Sequence, residues 1–248
     1  MKIPKVEFKE MSLQENIDVI KWAYYEDNGL LSVRYYTINY FPELAHIDDK
    51  LSKEEVYKTI KEVVTDDYEK YNRRIKEETK RYNLLWGKYN DIYFKELSNF
   101  LSVDWPENLD IIEAKVGLIP VFPRYLEDFS FSISTGVDDW KLIETTAHET
   151  LHFLWFEKWK KIHPETPIRE YNSPYLVWQY SEMVTDPILN NKPFSNIFNF
   201  RETGYDSFYQ IYDGNVLVMD KLRKIYENDI PIEEKIEEGY EYLKKVIL

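Results

Sequence analysis

The sequence predicts an α+β fold, on three observations. Two segments open with capping boxes and continue with apolar residues at helical spacing. Shorter segments alternate apolar and polar side chains with a period of two. The helical pattern then dominates the C-terminal part of the chain. At 248 residues, 44% hydrophobic and 31% charged, the chain has the length and composition of a globular protein with a sizeable core, which excludes the disordered and collagen-like classes.

Taken in order, Ser12-Leu13-Gln14-Glu15 has capping-box spacing and precedes Ile17, Val19, Ile20, Trp22 and Ala23, so a first helix runs to about Tyr25. Asn28-Gly29 signals a turn, and Leu31, Val33, Tyr35 and Thr37 alternate with Ser32, Arg34 and Tyr36 as a strand would. Ser52-Lys53-Glu54-Glu55 is a second capping box, and the apolar spacing after it predicts one long helix or two consecutive ones across 53 to 102. Asp110 to Val121 and Phe129 to Thr135 are strand-like, separated by Pro120 and Pro123. In the second, Phe129, Phe131 and Ile133 point one way and Ser130, Ser132 and Ser134 the other, giving one buried and one polar face.

Gly136 ends that strand, and Asp138 is placed to cap a helix carrying Leu142, Ala147, Leu151 and Trp155 as far as Ile162, before Pro164. Ser173-Pro174 fits the N-cap and first position of another helix reaching Asp186, the residue before Pro187. Two last helices are expected over about 214 to 228 and 232 to 246, the second starting behind Pro231.

Lys and Arg number 32 against 45 Asp and Glu, a net charge of −13 that repels a phosphate backbone, so nucleic acid is excluded as a general partner. Arg73-Arg74 sits among acidic residues on a solvated helical face. The seven glycines never gather into a phosphate-cradling loop. There is no cysteine, which removes disulfides, thiolate metal sites and cysteine nucleophiles, so any bound metal must use histidine and carboxylate. The first ten residues mix charged and apolar side chains, unlike a secretion signal, and no stretch approaches the ~18 apolar residues of a membrane span. A cytoplasmic protein that engages no membrane is the expectation.

His148-Glu149-Thr150-Leu151-His152 is an HExxH motif in the middle of the expected 138–162 helix. With 4 histidines and 28 glutamates in the chain, about 0.007 such matches are expected by chance. Residues four apart on a helix differ by about 40° in azimuth and about 6 Å in height, so both imidazoles can converge on one ion. Glu149 is displaced by about 100°, off the ligand set but within reach of a water that it can deprotonate as general base.

A catalytic zinc requires a third protein ligand. Trp155 and Lys158 stand where metzincins carry glycine and histidine, which excludes that branch. His163 is carried about 16 Å along the helix from His152, too far to share the ion, and His46 stands alone. Glu182, on the next helix, is the favoured third ligand. Asp186 lies four residues on, on the same face, and could accept the free ring N–H of a ligand histidine. Glu157, Glu165, Glu170 and Asp206 remain rival ligands.

Over about 129 to 187 the chain resembles the gluzincin, or thermolysin-like, metallopeptidases, in which HExxH is followed by glutamate and aspartate in an E-x-x-x-D pattern. The resemblance implies zinc held by His148, His152 and Glu182, one ion per chain, with Glu149 as base and Asp186 orienting a histidine. Two departures stand against it. The interval from His152 to Glu182 is 30 residues, longer than in thermolysin, and Ser181 replaces the family's asparagine. Gluzincins also place a Tyr or His after the third ligand to stabilise the oxyanion, and Tyr205, Tyr209 and Tyr212 are candidates by position. Peptide deformylases share HExxH but need a cysteine ligand that is absent here.

The expectation is therefore a zincin-like fold. A small mixed sheet, a long backing helix and the HExxH helix (1–153) stand above a mostly helical C-terminal lobe (154–248) that carries the third ligand, the two forming one compact catalytic unit. The strand at Phe129 to Thr135 would be the edge that pairs with an extended substrate. The expected activity is zinc-dependent hydrolysis of peptide or protein substrates. The alternative is a metal-binding or interaction protein that keeps the scaffold without turnover.

Overall fold

The computed structural model describes residues 2–26, 33–48 and 50–247. The first half of the chain contains β1 (Lys5–Glu10), α1 (Leu13–Tyr25), α2 (Val33–Tyr40), α3 (Lys53–Trp86) and α4 (Asn90–Leu101). Next come β2 (Ile111–Gly117), β3 (Arg124–Tyr125), β4 (Ser130–Ser134) and α5 (Asp139–Ile162). The remainder is α6 (Leu176–Met183), α7 (Thr185–Leu189), β5 (Tyr212–Asp213), β6 (Val216–Leu217), α8 (Val218–Glu227) and α9 (Ile232–Ile247). Helices dominate a small mixed sheet, so the fold is α+β.

The chain folds as two compact units, neither of them continuous. One comprises residues 5–88 and 111–145, the other 1–4, 89–110 and 146–248. This division differs from the expected split at 153/154: α4 belongs with the C-terminal residues, and the boundary falls inside α5.

In the sheet-bearing unit the strand order is β1-β2-β4-β3, with β1, β2 and β4 parallel and β3 antiparallel to β4. Phe8 of β1 meets the rings of Tyr82 and Phe131 edge-on, and with Ile112, Ala114, Val116 and Ile133 it forms the core between sheet and α3. β1 is an edge strand, and Asn83 of α3 satisfies its outward backbone: the side chain accepts from the Phe8 N–H at 3.0 Å and donates to the Phe8 carbonyl at 2.9 Å. β1 itself was not anticipated, although Val6 and Phe8 alternate with Lys5, Glu7 and Lys9.

Both capping boxes form as the sequence predicts, Ser12 with Glu15 and Ser52 with Glu55. The 53–102 region resolves into two helices, because the chain leaves α3 at Gly87 and restarts at Asn90. The segment read as a strand over 31–37 is helix α2 from Val33, its first two residues lying outside the described ones together with the Asn28-Gly29 turn. A strand would have buried Val33, Tyr35 and Thr37 together. Instead Val33, Thr37 and Phe41 are buried at intervals of four while Tyr35 is 57% exposed, and the Thr37 hydroxyl donates to the Val33 carbonyl.

β4 matches its expected span to within a residue, but its serine face is buried too. β3 pairs with its first two residues, so its outer edge is partly covered. Beyond β4, the Tyr82 hydroxyl donates to the Ser134 carbonyl at 2.9 Å and accepts from the Val137 N–H at 3.1 Å, while Arg81 donates to the Val137 carbonyl and pairs with Asp139. Asp138 caps α5 through the Lys141 N–H at 2.7 Å. The strand-to-helix junction that feeds α5 is thus held by two neighbouring residues of α3.

Two C-terminal expectations are corrected. The helix placed over 174–186 is two helices: Tyr175, not Ser173, precedes α6, and α7 contains both Asp186 and Pro187. Pro187 does not end a helix because it sits in the first turn of α7, where an N–H has no helical acceptor. The helix expected from 214 begins only at Val218, since 212–217 form a hairpin turning at Gly214, whose φ of 59° suits glycine.

Candidate metal centre

α5 is buried on nearly every side between Thr145 and Trp159, its polar residues included, so it is an interior helix rather than an amphipathic surface one. Tyr93 of α4 donates to the Ala147 carbonyl at 2.6 Å, one residue before His148, and burial pushes its phenol far above the ordinary tyrosine range. Trp155 stacks on Trp159 and meets Tyr180 of α6 edge-on, which ties α5 to the helix that carries Glu182. Tyr180 is anchored in turn by the Tyr226 hydroxyl at 3.0 Å and the Ile236 carbonyl at 3.0 Å.

This packing brings three side chains to one point. The Nε2 atoms of His148 and His152 are 3.0 Å apart, and Glu182 Oε2 lies 3.2 Å from the first and 3.4 Å from the second. Among the described residues, this is the group of three such side chains close enough to share an ion. Four tetrahedral ligands about 2.05 Å from a zinc ion stand about 3.3 Å from one another, so the donor triangle has the required size. The donor chemistry, two imidazoles and a carboxylate, also suits zinc.

Burial supplies the electrostatic argument. His152 is fully buried and Glu182 is 1% exposed, while His148 is 15% exposed and forms the open side of the group. An ionised carboxylate is costly at this depth, and a divalent ion at the two imidazoles would offset that cost. Glu149, next in sequence to His148, is 6% exposed and lies outside the donor group.

The rival ligands lie elsewhere. Glu157 pairs with Lys160, Glu165 lies beside His163, Glu170 sits in the turn at Ile168–Tyr171, and Asp206 begins the turn at Asp206–Gln210. His163 follows the end of α5 and also approaches Glu237 at 3.0 Å, and His46 ends an exposed turn.

Asp186 is completely buried, but its carboxylate is held by other partners than a histidine. Arg223 of α8 grips it with two bonds, Nε to Oδ1 at 2.7 Å and Nη2 to Oδ2 at 3.1 Å, and the Tyr209 hydroxyl donates to Oδ2 at 2.6 Å. The Tyr209 phenol is pushed well up by burial and by the Asp186 charge, and the hydrogen bond to Asp186 raises Arg223 above the ordinary guanidinium range. Of the three tyrosines considered for the oxyanion, Tyr209 therefore commits its single proton to Asp186. Tyr205 packs against Trp178 and Phe208, and Tyr212 is exposed on β5. Arg223 was not anticipated: its partner is 37 residues away and no local pattern announces it.

No family model, curated protein or solved structure matches the chain. No helix among the described residues is long and apolar enough to cross a membrane.

Proposed function

We propose that this protein is a zinc-dependent metallopeptidase of gluzincin type, with His148, His152 and Glu182 as metal ligands and Glu149 as general base. The observation that carries the reading is the triangle of donor atoms with edges of 3.0, 3.2 and 3.4 Å, with a glutamate directly following the first histidine. Zinc, when bound, supplies a Lewis acid that polarises the scissile carbonyl and makes a water easier to deprotonate.

The chain's own residues do the rest. His148 and His152 would present ring nitrogens to the ion from adjacent turns of one helix, and Glu182 would offset only one of its two positive charges, so that the occupied site would still favour a developing oxyanion. Glu149 accepts a proton from the attacking water as the new C–O bond forms, then delivers it to the amide nitrogen as the C–N bond breaks. Its low exposure keeps competing water from the carboxylate.

The test is digestion of a diverse peptide library by zinc-loaded protein, read by mass spectrometry, with Glu149→Gln alongside. Defined cleavage products that vanish in the variant support the reading. One tightly bound zinc with no cleavage by the wild type overturns it in favour of a metal-binding protein without turnover.

A further inference from the structure

Thr185 and Asp186, at the break between α6 and α7, begin three residues after Glu182 and tie its backbone to two distant segments. The Thr185 hydroxyl lies 2.8 Å from the Glu182 carbonyl and 3.3 Å from the Thr203 carbonyl, sharing its proton between them. The next N–H in that loop, Gly204, donates to the Tyr209 hydroxyl at 3.2 Å, and Tyr209 donates to Asp186. Arg223 closes the other side of Asp186 and also pairs with Asp220 on its own helix. The main-chain carbonyl of Glu182 is thereby joined to a path of hydrogen bonds running through Thr185, Thr203/Gly204 and Tyr209 to Asp186, with a bidentate guanidinium locking the last member.

We propose that Arg223 and Tyr209 are positioning residues for the metal centre: acting through Asp186 and Thr185, they fix the α6–α7 junction so that Glu182 Oε2 is held at the two histidine nitrogens. The inference rests on the metal-ligand part of the reading above. Its physical basis is that a carboxylate ligand on a short helix gains affinity from pre-organisation, and that α6 stops one residue after Glu182, so its own hydrogen bonds do not set the ligand's position beyond that point. The planar fork of Arg223 supplies an orientation that a lysine would not.

The test is zinc affinity by chelator competition, and the visible spectrum of the cobalt-substituted protein, for wild type, Arg223→Gln, Arg223→Lys and Tyr209→Phe. Tyr209→Phe is the milder change and keeps the Asp186–Arg223 pair, so it is informative even where Arg223→Gln folds poorly. The pair Lys158→Met with Glu233→Gln serves as a control, because it removes an ion pair of the same unit, buried only on its lysine side, that has no bond to Asp186. Expected are losses of about 10- to 100-fold in zinc affinity for Arg223→Gln and Tyr209→Phe, no rescue by lysine, and an altered cobalt spectrum, against unchanged affinity in the control. Wild-type affinity in the folded Arg223 and Tyr209 variants, or an equal loss in the control, overturns the positioning role and leaves the ligand assignment standing. A wild type that binds neither metal overturns the ligand assignment and this inference with it.

Discussion

A Cβ on Gly239 of α9 would run into the phenolic oxygen of Tyr180, the residue that anchors α6 two positions before Glu182. The glycine is thus a close-approach position rather than a turn, and it lets the last helix dock on the Tyr180–Tyr226 pair. Gly239→Ala is expected to destabilise the protein by about 1–3 kcal/mol, since the ring is fully buried and has no room to move aside. Urea unfolding of the variant beside wild type checks this, and an unchanged midpoint would show that the interface yields more easily than its packing implies.

Glu149→Gln is expected to retain one zinc per chain while peptide turnover falls by about 100-fold or more, because an amide cannot take up and return a proton. Metal analysis and steady-state rates on the same preparation separate the two properties. Turnover at the wild-type rate would remove Glu149 from the mechanism.

Glu182→Ala should weaken zinc binding beyond the roughly 100-fold scale of indirect effects, because it removes a donor outright. Chelation of the wild type should abolish cleavage, and added zinc should restore it. Equal binding in variant and wild type would move the third ligand elsewhere.

Tyr82 provides a test at alkaline pH. Burial pushes its phenol up to about 12 from the usual 10 or so. A raised phenol means that the folded state favours the neutral form, so this contribution is complete below about pH 10 and is lost as pH rises toward about 12. Tyr82→Phe removes both the effect and the two hydrogen bonds at the β4–α5 junction, at a cost of about 1–2 kcal/mol near neutrality. The gap in unfolding free energy between wild type and variant should therefore narrow between about pH 10 and about pH 12. A gap that stays constant would contradict the assignment.

What could be read in advance followed local rules. Asp138, the HExxH spacing and Pro164 together mark a helix with both histidines on one face, and Ser12 and Ser52 announce their helices by capping chemistry confined to four residues. α2 was misread because tyrosine and threonine favour strands intrinsically, whereas the burial of Val33 and Thr37 one helical turn apart is a tertiary preference. The start of α8 was hidden because a two-residue strand leaves no period to detect. Glu182 could be nominated from its place on the following helix, but the partners of Asp186 could not: Arg223 and Tyr209 reach it through the folded chain, 37 and 23 residues away.

The unit that contains the three donors is built from residues 1–4, 89–110 and 146–248, three stretches well separated along the chain. A nascent polypeptide exposes both histidines before Glu182 has been added, and it has Glu182 before α8 and α9, which pack around that helix, exist. Under the proposed ligand assignment, the full donor set would exist only once Glu182 and the helices packed around it have been made. A chain interrupted between His152 and Glu182 would carry both imidazoles without the carboxylate that completes the group.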